Sequence, residues 1–353
     1  MAHPYAPMGG SYDDRVVGIV ADEFLKAGWI VGTFNFRGAH GSKARTSWSG
    51  RPELDDYISF AACFMHYMAY LRLHSLENVI LASEQPLMPL QADLLGPPAS
   101  PTVILGGYSY GSVILRHLPP VAAILQTFTN PITGSAHDEI LMRARKLAEQ
   151  SNRAWKNTSR SRERGTRSRT KSHEPKSSMT MGGEETTPEK RRASRDIRRS
   201  VDRGFTIEIG CRLRSLSHSH CRRKDESPQR SLDMTYAHPI AIPQIRYLLI
   251  SPVTPLISTF TAPALIHKFW HKSTGDGKDS IGQHATLAVY GNQDMFTSAK
   301  RILYWSEQWK ATSGSKPASV EVVEVAEAGH FWVEHGVEDQ LRSTLRDWEI
   351  GVR

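Results

Sequence analysis

Three residues far apart in the chain have types and settings that could act together as a nucleophile, its base and an orienting acid. Ser109 lies at the centre of Gly107-Tyr108-Ser109-Tyr110-Gly111, a G-x-S-x-G run. A serine hydroxyl is a weak nucleophile near neutral pH. It needs a base to take its proton, and the base needs an acid to hold its tautomer. His330, in Ala328-Gly329-His330-Phe331, is the candidate base. Asp294, ending Gly291-Asn292-Gln293-Asp294, is the candidate acid.

Such a set works only if the fold brings three loops to one place. Thr102-Val103-Ile104-Leu105 reads as a strand running into the serine motif, and Ser112 to Leu118 reads as a helix leaving it. A sharp turn between them would lift Ser109 out of the sheet, over a helix N-terminus that favours developing negative charge. Gly107 and Gly111 leave room for strand and helix to pass closely. Further strands are expected at Trp29–Phe36, Tyr247–Ile250, Thr286–Tyr290 and Val320–Val325. Helices are expected from Asp14 to about Gly28, Glu53 to about Leu73, Asp138 to Gln150, Ser298 to Lys310 and Val337 to Trp348. Alternating strands and helices predict an α/β fold, a mostly parallel sheet with helices on both faces. Ligands in such sheets bind at the strands' carboxyl ends. The polar motifs fall there, after Phe36, Leu105, Tyr290 and Val325.

The order Ser109, Asp294, His330 is that of α/β-hydrolases, and differs from the orders in chymotrypsin and subtilisin. The chain resembles the α/β-hydrolase fold serine hydrolases, and within them a small subfamily with an HPxxPxGG loop and an FNFRG loop. His3-Pro4-Tyr5-Ala6-Pro7-Met8-Gly9-Gly10, Phe34-Asn35-Phe36-Arg37-Gly38, Gly107–Gly111, Tyr290–Asp294 and Gly329-His330-Phe331 carry the resemblance. It implies Ser109 as nucleophile, His330 as base and then acid, and Asp294 as the orienting acid. It further implies an oxyanion hole from the backbone N–H groups of Tyr110 and Tyr5. The expected activity is carboxylesterase-like cleavage of an ester, thioester or amide of a small acyl substrate, with no metal or cofactor. The family carries strands ahead of the His-Pro loop. Here the sheet is expected to lack that N-terminal edge, leaving the loop less firmly held.

Composition narrows the alternatives. The net charge of +8 suggests a nucleic-acid or membrane partner until it is located. Residues 141–230 hold 25 Lys+Arg against 11 Asp+Glu, whereas the other 263 residues hold 19 against 25. A mildly acidic body therefore carries a basic insertion. Residues 1–126 and 240–353 are expected to form the hydrolase domain, with 127–239 inserted. The stretches Ser159–Arg169 and Lys190–Ser194 are too charged and too poor in apolar residues to offset their ordering entropy, so disorder is expected. Ser/Arg alternation raises an RNA- or partner-binding alternative, but no aromatic platform accompanies it, and nucleic acid is not the expected partner. A catalytically impaired scaffold is the other alternative.

Cys63, Cys211 and Cys221 form no disulfide framework, and with His218 and His220 they match no zinc spacing. The longest apolar run, Tyr247 to Ile266, is broken by three prolines and reads poorly as a membrane span. No apolar leader follows Met1, so a soluble cytoplasmic protein is the default expectation. Among other polar residues, Arg37 reads as a loop tie, and Glu53, Asp55 and Asp56 as helix-start acids. His117 and His335 read as surface or packing residues, and His40 and Ser42 as weak candidates for substrate contact.

Overall fold

The computed structural model describes residues 1–71, 101–168, 240–253, 280–312 and 320–352. The sheet has four strands among them: β1 (Thr102–Tyr108), β2 (Gln244–Ile250), β3 (Ala285–Gly291) and β4 (Val320–Val325). They are parallel and lie in chain order, β1-β2-β3-β4. Seven helices are described: α1 (Arg15–Lys26), α2 (Arg51–Tyr70), α3 (Tyr110–Arg116), α4 (Val121–Gln126), α5 (Ala136–Ser168), α6 (Ala299–Thr312) and α7 (Val337–Val352).

Strand alternation sends successive side chains to opposite faces, and two cores follow. Tyr247, Leu249, Ala288 and Tyr290 point to one face, where Tyr57, Ala61 and Met65 of α2, Ile114 of α3 and Ile302, Trp305 and Trp309 of α6 cover them. Leu248, Ile250, Leu287 and Val289 point to the other, covered by Val16, Ile19 and Val20 of α1 and Leu341, Leu345 and Trp348 of α7. The expected two-faced parallel sheet is thus present. Its central strands read as continuous apolar runs because both faces are buried.

The α1–α7 seam is closed by charge. Glu23, whose side chain is almost fully buried, accepts from Arg342 and, at 3.0 Å, from Arg346. Arg342 also meets Asp22 at 2.7 Å and Glu338 at 2.9 Å. Burial alone would push the Glu23 carboxyl up, but hydrogen bonds from Arg342 and Arg346 outweigh it and hold it below its ordinary value. A depressed carboxyl stabilises the fold above its unfolded pKa, near 4.3, and that stability is lost as pH falls through the folded value. Arg342→Ala should therefore cost about 2 kcal/mol at neutral pH, the partial exposure of the cluster reducing the usual cost of leaving a buried charge unpaired. The deficit should shrink as pH falls through the folded value of Glu23, below which the carboxyl is protonated in both states. Urea unfolding of wild type and variant at pH 7 and pH 3.5 measures both.

Three expectations change. Trp29–Phe36 forms no ladder strand, and Trp29 to Asn35 are only half-buried. Met1 N donates to Gly32 O of this segment at 2.7 Å, and Ala2 makes one parallel bridge to Gly107 of β1. Among the described residues no strand lies beside this run to pair with it. Second, α5 begins at Ala136 and runs to Ser168, past Gln150 and into the stretch expected to be disordered. Its first half packs against the end of α2, where Ala144 and Ala148 meet Tyr67 and Leu71. Third, Glu53 is not merely a helix-start acid. It is fully buried and accepts from Ser47 N at 2.6 Å and Ser47 Oγ at 2.5 Å. Residues 79–81, 86–100, 169–239 and 254–269, with the two later cysteines, lie outside the described residues.

Candidate active site

β1 ends in the turn that the glycine spacing predicts. Ser109 has φ 54° and ψ −117°, a sparsely populated conformation costing of order 1–3 kcal/mol. A Cβ on Gly107 would sit 2.5 Å from the Gly111 carbonyl, and one on Gly111 would sit 2.7 Å from Ala2 O. Neither position tolerates a side chain, because the backbone itself fills the space. Ser109 N donates to Ile250 O at 2.9 Å, which ties the turn to β2. α3 begins at the next residue.

The structure brings the three candidate residues together. Ser109 Oγ lies 2.8 Å from His330 Nε2. His330 Nδ1 lies 2.8 Å from Asp294 Oδ2 and 2.9 Å from Oδ1. All three are buried. Burial pushes the Asp294 carboxyl up, but the hydrogen bond from His330 and the smaller contributions of Phe296 N and Ser251 outweigh it, leaving it below its ordinary value. An ionised Asp294 only accepts, so Nδ1 carries the ring proton and Nε2 offers its lone pair to the serine.

Each residue stands at a strand end on a loop tied to its neighbours. Asn292 N donates to Val325 O at 3.0 Å, Gln293 N to Ala328 O at 3.0 Å, and Glu327 N to Asn292 Oδ1 at 2.9 Å. These bonds zip the loop after β3 to the loop after β4, and so fix Asp294 against His330. Asp294 Oδ1 also accepts from Phe296 N at 2.8 Å and Thr297 N at 3.1 Å, which sets the carboxylate's orientation.

Several contributors were not singled out from sequence. Tyr108 is buried beneath the histidine and donates through its hydroxyl to His330 O at 2.8 Å. Trp332 is fully buried and donates from Nε1 to Ser251 Oγ at 3.0 Å. Ser251, at the end of β2 with φ 42°, in turn supports Asp294. A serine beside Pro252 at a strand's carboxyl end was the available signal. His3 is buried; its Nδ1 donates to Pro4 O at 2.6 Å and its Nε2 accepts from Phe36 N at 2.9 Å. Burial lowers its pKa to about 4, so it remains a neutral clamp.

The His-Pro loop is firmly held, contrary to expectation. Ala2 N donates to Gly106 O at 2.8 Å, and Tyr108 N to Ala2 O at 3.1 Å. The Tyr5 and Tyr110 rings meet edge to face at 5.1 Å, which brings the two loops together. Neither the Tyr5 nor the Tyr110 backbone N–H has a partner among the described residues. The Tyr110 hydroxyl is also buried and unpartnered there. Arg37 forms the expected loop tie, paired with Asp56 at 2.6 and 2.9 Å. His40 is exposed, and Ser42 Oγ donates to Phe36 O at 2.8 Å and Ala39 O at 2.9 Å, closing its own loop. His117 bonds back to Val113 O at 2.7 Å.

A parallel sheet, a strained serine between β1 and α3, and acid and histidine after β3 and β4 in that order now stand together. The fold is an α/β fold with a parallel sheet covered on both faces, and its serine, acid and histidine follow the chain order of α/β-hydrolases. No family model matches the sequence, and no curated protein is similar enough in sequence to count as a relative. Two solved structures show a loose overall likeness. One is an alpha-beta serine hydrolase homologue from Coxiella burnetii, at 15% identity and a TM-score of 0.37, with 98% of this chain and 82% of that chain covered. The other is an α/β serine hydrolase without lid from Xanthomonas campestris, at 12% identity and a TM-score of 0.37, with 98% and 79% covered. No helix among the described residues is long and apolar enough to cross a membrane, and those residues contain no group of three or more potential metal-ligating side chains.

Proposed function

We propose that the protein is a serine hydrolase that cleaves an ester, thioester or amide of a small acyl substrate through an acyl-enzyme. The observation that carries this reading is the unbroken hydrogen-bond chain from Ser109 Oγ through His330 to Asp294, starting at a serine held in a strained turn. Ser109 Oγ attacks the carbonyl carbon as His330 Nε2 takes the hydroxyl proton. The carbonyl oxygen becomes an oxyanion, for which the unpartnered N–H groups of Tyr110 and Tyr5 are the candidate donors. One such donor is typically worth about 3–4 kcal/mol of barrier. The imidazolium, steadied by Asp294, then gives its proton to the leaving oxygen, sulfur or nitrogen as the acyl–leaving-group bond breaks. Water repeats the sequence on the acyl-enzyme, returning the proton to Ser109.

A fluorophosphonate probe tests the proposal, because it phosphonylates a serine only when a base has activated it. The expected result is one covalent adduct per chain, found by peptide mass analysis on the peptide carrying Ser109. Failure to label the folded protein, or an adduct on another residue, would overturn it.

A further inference from the structure

Resting on the serine-hydrolase reading, we propose that the site takes substrates with an apolar alcohol portion, such as an unbranched alkyl ester, and that Met295, Phe331 and Val333 form the surface that receives it. The leaving oxygen must lie within hydrogen-bond reach of His330 Nε2, since that atom protonates it. The alcohol portion therefore departs across the surface around the imidazole, away from the Tyr5 and Tyr110 amides.

That surface is apolar. Phe296 meets the His330 ring edge-on at 4.7 Å and Phe331 meets it at 5.4 Å, and the two phenyl rings lie 6.3 Å apart. They join the Asp294 loop to the His330 loop around the imidazole ring. The same loops expose further apolar side chains: Met295 is 81% exposed, Phe331 52% and Val333 67%. Single exposed apolar residues are common and carry no message. Here three fall within three residues of Asp294 or His330, while Trp332 between two of them and Tyr108 beside Ser109 are fully buried. The buried pair holds the loops, which leaves the exposed set free to meet a ligand. Methionine and phenylalanine suit an alkyl chain of variable length, because the first is flexible and the second is broad and flat.

The test uses alkyl acetates from methyl to octyl. From butyl upward the alcohols have nearly equal acidity, so chain length changes contact and not leaving-group chemistry. Each methylene fully covered should raise kcat/KM by about fourfold. A gain of about tenfold or more is expected between butyl and octyl acetate. In the Met295→Ser/Val333→Ser double variant that gain should fall to about threefold or less. Both positions are more than half exposed, so the variant is expected to fold, and circular dichroism verifies it. A flat profile in wild type, or a gain that survives in the double variant, would overturn this inference while Ser109 labelling left the hydrolase reading standing. Absence of labelling would remove both.

Discussion

Ser109→Ala should lower kcat by about a million-fold, His330→Ala by a similar factor, and the double variant by no more than either alone. The reason lies in the connectivity of the site. Ser109 Oγ and His330 Nε2 are 2.8 Å apart, and in the proposed mechanism the hydroxyl becomes a nucleophile only as its proton leaves to that nitrogen. Without the imidazole the serine keeps its proton; without the serine the imidazole has no nucleophile to activate. Two residues that act in one step cannot contribute independently, and their losses do not add. The residual rate should still exceed the uncatalysed one, because substrate positioning and the Tyr5 and Tyr110 amides remain. Rates on the best ester for the two single variants and the double give the result. Additive losses, or a Ser109→Ala variant that keeps its activity, would mean the nucleophile lies elsewhere. Alanine accepts the serine's backbone conformation no worse than serine does, so a changed fold should not confuse the reading.

What the sequence made legible follows from how local each signal is. β1, β3 and β4 stood out because their apolar or alternating runs end abruptly at glycine or polar residues. The serine turn was readable because strand, small residues and helix lie within one short segment. The order of Ser109, Asp294 and His330 was readable because each sits in the loop after such a strand. Long-range features were not readable. Trp29–Phe36 has the composition of a strand, but strand formation needs a neighbour, and composition does not reveal that none lies beside it among the described residues. The Ser251–Trp332 bond spans 81 residues, and no local pattern announces it. Glu53 looked like helix-start chemistry because its partner Ser47 lies in an irregular loop. The overrun of α5 has a different origin. The Arg143–Glu139 and Arg145–Glu149 pairs support the helix as far as Gln150, and the arginines beyond it, from Arg153 to Arg167, favour helix while giving the segment no core. Composition weighed against order there, while local propensity favoured helix.

Asp294→Asn should cost about ten-thousand-fold in kcat with little change in KM. The oxygen Oδ1 is engaged by Phe296 N and Thr297 N, both donors. In the asparagine variant the amide oxygen must stay on those donors, which turns the amide NH2 toward His330 Nδ1. That nitrogen can then only accept, so the ring proton moves to Nε2. An Nε2 that carries a proton cannot take one from Ser109, and the site holds its shape with the wrong tautomer. The effect should therefore appear in the chemical step and not in binding. A smaller loss of the same kind is expected for Ser251→Ala, roughly tenfold in kcat, because the Ser251 hydroxyl supports Asp294 and accepts from Trp332 Nε1. Ser251→Thr keeps that hydroxyl and should recover most of the rate. Steady-state kinetics on one ester separate the outcomes. A raised KM with an unchanged kcat in Asp294→Asn would assign Asp294 to substrate binding and remove it from the proton path. Asp294 is ionised in the resting site because the hydrogen bond from His330 outweighs burial, so asparagine removes a charge as well as an acceptor. Loss of that charge leaves the imidazolium of the transition state in a buried site without its counter-ion, which acts in the same direction as the wrong tautomer.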